Sequence, residues 1–195
     1  LGYIIVGDKP ESELYVRLKR QACDAIGIEH EGIRLPADTS EQKLINSIIS
    51  LASSPPVSGI IIQLPLPPHF DLARVLRFIP PAKDVDGLHP FNVGCMALKN
   101  HHPFFESCTP LGVIELIKRT GITDLAGKRI CLIGRSNIVG MPLNLMLTQT
   151  HNACVMMCHS GTTESNLKKC VHEAEIVIAA AGVMNLVKAD WLGEN

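Results

Sequence analysis

The chain has 195 residues, 46% of them hydrophobic and 19% charged, with a formal net charge of −1. That is a globular composition, long enough for one large core or two small ones. Near-neutral charge gives no electrostatic reason to expect nucleic acid or an acidic membrane as partner, and the best apolar run, 57–66, is broken by Gln63 and Pro65 before it reaches a membrane span.

Strand-like and helix-like patterns alternate along the chain, as in an α/β fold. Residues 2–6 read as a buried strand. Residues 12–26 read as a helix, with Leu14, Leu18, Ala22 and Ala25 as its apolar positions. A short strand over 32–35 follows, and Thr39-x-x-Gln42 resembles a capping box before a helix to about Ala52. Residues 59–64 form a continuous apolar strand, the kind covered on both faces in parallel sheets. A short helix is predicted over 71–79 and a polar loop over 80–89. Thr109 is a good N-cap, with Pro110 in the first turn, for a helix running to Arg119. Then come a strand at 129–133, a helix at 138–149, a strand at 153–158, a helix at 166–173 and a strand at 176–181. The division between two βαβ halves is placed near Thr109, giving domains 1–108 and 109–195. Seven cysteines without a C-x-x-C pair read as thiols in a reducing compartment, and eight histidines without ligand spacing give no metal site.

Gly134-Arg135-Ser136-x-x-x-Gly140 joins a strand to a helix, and a second strand follows. This is the phosphate-cradling arrangement of a dinucleotide-binding sheet, in which free amide N–H groups and the helix dipole face a pyrophosphate. The spacing departs from G-x-G-x-x-G, because Ser136 takes the middle glycine's place and Gly140 sits one residue late. The second strand runs into Cys158-His159-Ser160-Gly161-Thr162 with no carboxylate for a ribose 2′-hydroxyl. Arg135, with Ser160 and His159, could instead receive a 2′-phosphate, which favours NADP over NAD.

In the first half, Tyr15 and Lys19 lie four apart and so share one helix face. A Lys beside an aromatic ring and partly desolvated suits proton transfer. Gln63 ends an apolar strand, where ligands of open α/β sheets bind, and a buried amide needs partners, of which a nearby Lys would be one. Lys83-Asp84-Val85-Asp86-Gly87 places two carboxylates on a turn.

Five ordered motifs carry a resemblance: Ser12-x-x-Tyr15-Val16-x-x-Lys19, Gln63-Leu64-Pro65-Leu66, Lys83-Asp84-Val85-Asp86-Gly87, Cys108-Thr109-Pro110-x-Gly112 and Gly134-Arg135-Ser136-x-x-Val139-Gly140-x-Pro142. Over essentially the whole chain it resembles methylenetetrahydrofolate dehydrogenase/cyclohydrolase, a bifunctional folate one-carbon enzyme. The resemblance implies two α/β domains with a cleft between them, the second domain Rossmann-like. It implies NADP-dependent oxidation of 5,10-methylenetetrahydrofolate and hydrolysis of the methenyl product to 10-formyltetrahydrofolate, in one-carbon metabolism and purine biosynthesis. Carried over, Lys19, Tyr15, Gln63 and Asp86 become the catalytic set, and Ile62 and Leu64 join them against the folate. Gly134, Arg135, Ser136, Gly140, His159 and Ser160 become the cofactor set. A cytoplasmic homodimer is implied, with a mitochondrial location left open. The family's first helix would precede Leu1, and its Pro-Gly-Gly-Val-Gly-Pro motif would follow Asn195, so the chain is expected to be abbreviated at both ends. The alternatives are a non-catalytic folate- or nucleotide-binding member of the family, and a short-chain dehydrogenase. The latter is disfavoured because its Y-x-x-x-K follows the dinucleotide turn, whereas Tyr15 precedes Gly134.

Overall fold

The computed structural model describes residues 1–193. The chain forms two compact units, one over 1–92 and the other from Val93 onward. Each is built on a three-stranded parallel sheet with the earliest strand in the centre.

In the first unit, β1 (Gly2–Val6) lies between β2 (Glu31–Leu35) and β3 (Ile60–Ile62), and all five of its residues are buried. Alternation of side chains along the pleat explains this. Ile4 and Val6 enter a core with Leu44, Ile48 and Leu51 of α2 (Glu41–Ser53) and Val75 of α3 (Leu72–Leu76). Tyr3 and Ile5 point the other way, onto Val16 of α1 (Pro10–Ile26). The register sets Ile4 against Ile62, so Gln63 continues β3 just past the pairing, its N–H donating to the Ile4 carbonyl (2.8 Å).

Two helix readings are corrected here. The buried residues of α1 are Ser12, Val16 and Cys23, whereas Leu14 and Leu18 are 42% and 49% exposed. Both sets have helical spacing, and hydrophobicity alone selects the leucines. The sheet instead takes the stripe of Ser12, Val16 and Cys23, of which Val16 packs on Tyr3 and Ile5. A bidentate Arg34–Glu13 pair fastens that orientation to β2. At α2 the N-cap is Ser40, not Thr39: Ser40 is extended (ψ 148°) and its hydroxyl accepts from Lys43 N–H (3.4 Å). Thr39 is buried, with its carbonyl bonded to His69 (3.0 Å).

α4 (Pro90–Ala97) has no counterpart among the elements predicted from sequence, since Pro90, Asn92 and Gly94 weaken its helical signal. It spans the division between the units: Asn92 bonds Asp84 in the first, and Met96 belongs to a core of the second. The compact units therefore divide ahead of Thr109.

In the second unit, β4 (Arg129–Ile133) is flanked by β5 (Cys154–Cys158) and β6 (Ile176–Ala179). Ile130 and Leu132 pack on one face against Ile114 and Ile117 of α5 (Cys108–Arg119) and Leu143 of α6 (Gly140–Leu145). Cys131 and Ile133 pack on the other against Leu167 and Val171 of α7 (Glu164–Glu173) and the buried Trp191. α5 begins two residues earlier than its sequence signal, with Ser107 in place of Thr109 at the N-cap position and Thr109-Pro110 inside the first turn. α6 runs on as a π-helical turn, Met146–Thr150. Among the described residues no helix is long and apolar enough to cross a membrane.

Candidate active site and dinucleotide cradle

The first unit gathers three of its four predicted catalytic residues. Lys19 extends from α1 toward the end of β3, where its ammonium donates to Gln63 Oε1 (3.4 Å). The Gln63 amide is 7% exposed and its Nε2 donates to the Leu64 carbonyl (2.8 Å), which fixes the oxygen toward Lys19. Asp86 lies within electrostatic reach of Lys19, and its carboxyl makes no hydrogen bond among the described residues. Burial, the largest influence, holds the Asp86 carboxyl above the usual carboxylate range; Lys19 opposes this and Asp84 adds to it. Tyr15 stands one turn before Lys19 and is 57% exposed, so it joins the group by position and not by contact. Ile62 is buried in the sheet and Leu64 half-buried beside Gln63. The arrangement places an ammonium, a fixed amide and a carboxyl that makes no hydrogen bond among the described residues together at the carboxyl end of a parallel sheet.

Asp84 belongs to the same motif as Asp86, yet the sequence assigns it no role. It is 1% exposed and accepts from Leu88 N–H (3.2 Å), His89 N–H (2.8 Å) and Asn92 Nδ2 (2.8 Å). An Asp followed by a turn glycine signals only a turn, and its buried setting is not visible without the sheet beneath it.

The second unit makes its cradle from backbone. Gly134 has φ 118°, and a side chain there would strike the Ala180 carbonyl. A side chain on Gly140 would strike the Gly134 carbonyl and Arg135 Cα. The two glycines thus lie against each other across the turn, which explains why the late glycine works as well as an earlier one. Gly134 N–H donates to the Cys158 carbonyl (2.8 Å), tying the turn to the end of β5. Where the usual motif has a middle glycine, the Ser136 hydroxyl accepts from Val139 N–H (3.1 Å) and closes the loop before α6.

A cavity of about 680 Å³ opens over this turn, with Gly134, Arg135, Ser136, His159, Ser160 and Thr162 on its wall. The β5 end is ordered by its own bonds: His159 N–H donates to Thr162 Oγ1 (2.9 Å), and His159 Nδ1 accepts from Gly161 N–H (3.0 Å). That assignment leaves Nε2 as the ring nitrogen able to donate outward. Sequence reasoning missed further wall residues, among them Glu164, Lys188 and Trp191. Lys188 lies 3.6 Å from the Glu164 carboxylate and 5.2 Å from the centre of the Trp191 ring. Glu164 is a carboxylate near the β5 end after all, but on the first turn of α7 and matched by a cation. The cradle, the cavity and the donors at the β5 end fit a phosphorylated dinucleotide.

Comparison with known proteins agrees with this geometry. Residues 1–86 match the family model of the tetrahydrofolate dehydrogenase/cyclohydrolase catalytic domain, and residues 107–195 match that of its NAD(P)-binding domain. The bifunctional protein FolD 2 of Geobacter sulfurreducens is 47% identical over 194 residues, covering 100% of this chain and 66% of the relative. The bifunctional protein FolD of Geotalea uraniireducens is 44% identical over 194 residues, covering 100% and 67%. The solved Trypanosoma brucei methylenetetrahydrofolate dehydrogenase-cyclohydrolase, complexed with NADP and an inhibitor, superposes with a TM-score of 0.93 at 36% identity, over 98% of this chain and 64% of that one. The chain therefore spans about two thirds of the length of such relatives. In sequence and in fold it belongs to the tetrahydrofolate dehydrogenase/cyclohydrolase family.

Proposed function

We propose that the chain carries out NADP-dependent oxidation of 5,10-methylenetetrahydrofolate to the methenyl form and hydrolyses that product to 10-formyltetrahydrofolate. The observation that carries this reading is the Lys19–Gln63 hydrogen bond, with the Asp86 carboxyl within electrostatic reach of Lys19, in the family's catalytic domain.

NADP, when bound, supplies the nicotinamide that accepts hydride from the methylene carbon. The folate nitrogen lone pair assists that departure, so the first step asks the protein to bind and orient and not to act as a strong base. The methenyl product is a cation that water attacks. Lys19 is assigned the proton transfers of this hydrolysis, and Gln63 holds its ammonium in place. Tyr15 presents an exposed ring for stacking, Asp86 hydrogen-bonds the pterin edge, and Ile62 and Leu64 contribute the apolar surround. In the second unit Gly134, Ser136 and Gly140 form the pyrophosphate cradle, with Arg135, His159 and Ser160 at the 2′-phosphate. Assembly as a homodimer, a reducing cytoplasmic setting for the seven free thiols, and a supply of formyl groups to purine synthesis complete the proposal.

The deciding experiment measures both reactions on the purified chain, with NADP and NAD side by side, for the wild type and Lys19→Met. The substitution is expected to lower hydrolysis about a hundredfold or more while retaining more of the hydride transfer. Equal loss of both activities in a folded variant would overturn the role of Lys19. Preference for NAD would overturn the 2′-phosphate assignment.

A further inference from the structure

We propose that Asp84 is a positioning residue of this site, clamping the 84–89 loop from inside so that Asp86 is presented to a ligand with its carboxyl unpaired. A buried carboxylate is unfavourable unless hydrogen bonds replace its water. Asp84 meets that condition fully: Oδ1 receives Leu88 N–H, and Oδ2 receives His89 N–H and the buried Asn92 amide. Asn92 also donates to the Pro81 carbonyl (3.0 Å), so one side chain ties the turn at 81–84 to α4. Outside the clamp, Lys83 Nζ bonds the carbonyls of Ala52 (2.8 Å) and Ser54 (3.3 Å) at the end of α2. Asp84 is bridged to Ile60 of β3, the strand that leads to Gln63. Val85 packs against the core over Tyr3 and Val16, and Gly87 takes φ 65° to return the chain. In this segment Asp86 alone presents a polar side chain with no hydrogen bond among the described residues.

The clamp also acts through charge. The charged groups acting on Asp86 are Lys19 from α1 and Asp84 from its own loop, and they pull in opposite directions. Burial and Asp84 both push the Asp86 carboxyl upward, and Lys19 opposes them. A heterocycle edge that offers N–H donors would be read by its two oxygens. Its use for folate rests on the function proposed above; the Asp84–Asp86 coupling does not.

The test titrates the side-chain carboxyl carbons of the isotope-labelled full chain by NMR, with Asp86 assigned through Asp86→Asn. In Asp84→Asn the Asp86 midpoint is expected to fall, because the neighbouring negative charge is gone, yet to stay above the usual range because burial remains. In Lys19→Met it is expected to rise. In Asp84→Ala, exchange of the His89 amide hydrogen should accelerate about tenfold or more as the clamp is lost. An unchanged Asp86 midpoint in folded Asp84→Asn would overturn the proposal. Should that variant not fold, Asn92→Ala replaces it: with one donor removed, the Asp84 charge is less compensated and the Asp86 midpoint should rise. No change there would be equally fatal. Binding of 5,10-methenyltetrahydrofolate by the wild type is measured in parallel. Its absence would remove the folate reading, while the titration still decides the clamp.

Discussion

The two units build their sites from different materials. The first uses side chains: an ammonium from α1, an amide at the end of β3 and two carboxyls on one loop, the ammonium, the amide and Asp84 held by bonds that a single substitution removes. The second uses backbone: a turn in which two glycines touch, with Arg135, His159 and Ser160 at its rim. A site of the first kind is tuned by charge and protonation. One of the second kind is set by whether the chain can adopt the turn at all. Substitutions should therefore fail differently in the two places.

The largest effect is expected at Gly140. A valine there would drive its side chain into the Gly134 carbonyl and Arg135 Cα, and backbone cannot yield as a flexible side chain does. Relieving the clash distorts the cradle at about 3 kcal/mol or more, a loss of dinucleotide affinity of about a hundredfold. NADPH fluorescence titration measures it, with circular dichroism to confirm folding. Retained affinity would show that the cradle is less rigid than the glycine contact implies.

Gln63→Leu tests the first unit in its own terms. It removes the acceptor of the Lys19 ammonium while nearly conserving volume. A hydrogen bond to a charged group contributes about 1.5–3 kcal/mol, so hydrolysis should fall about thirtyfold. Dinucleotide affinity should stay within about twofold. A matching loss of NADPH binding would break the separation between the two kinds of site.

This contrast also decides what can be read from sequence. Strands β1 and β4, buried on both faces, appear as unbroken apolar runs and are legible to within a residue or two. The glycine cradle is legible because only glycine tolerates φ 118° and a carbonyl at that distance, so Gly134 and Gly140 announce the turn even at irregular spacing. Lys19 and Gln63 are legible as candidates because polar residues beside or within apolar patterns require a reason. The buried stripe of α1 is not, because Ser12, Val16 and Cys23 are less hydrophobic than the exposed Leu14 and Leu18. Glu164 and Lys188 are far apart in the chain, and only the fold shows them as a pair on one cavity wall. Asp84 carries a turn signature, and its burial follows from neighbours that no local pattern names.

Arg135→Ala should act on one cofactor and not on the other. If the guanidinium meets the 2′-phosphate, its removal forfeits a charge-assisted contact of about 1.5–3 kcal/mol and weakens NADP by about tenfold or more. NAD, lacking that phosphate, should bind within about twofold of wild type. Equal weakening of both would reassign Arg135 to the pyrophosphate and to the backbone-built part of the site.

Lys188→Met should give the smallest effect, and it asks whether side chains tune the backbone cradle at all. Lys188 and Glu164 are 58% and 74% exposed, so the pair itself adds little stability. Its consequence is for a third charge. With Lys188 present, Glu164 is compensated and the cavity stays hospitable to a phosphate near Arg135. Without it, a bare carboxylate faces the same space, screened by solvent. NADP affinity should fall about threefold, and more at low salt, since exposed charges act within the Debye length. NAD should be unaffected, and adding Glu164→Gln should return NADP affinity to near its starting value. Recovery in the double variant separates repulsion by Glu164 from any loss of packing between the Lys188 stem and Trp191, because that packing is missing in both.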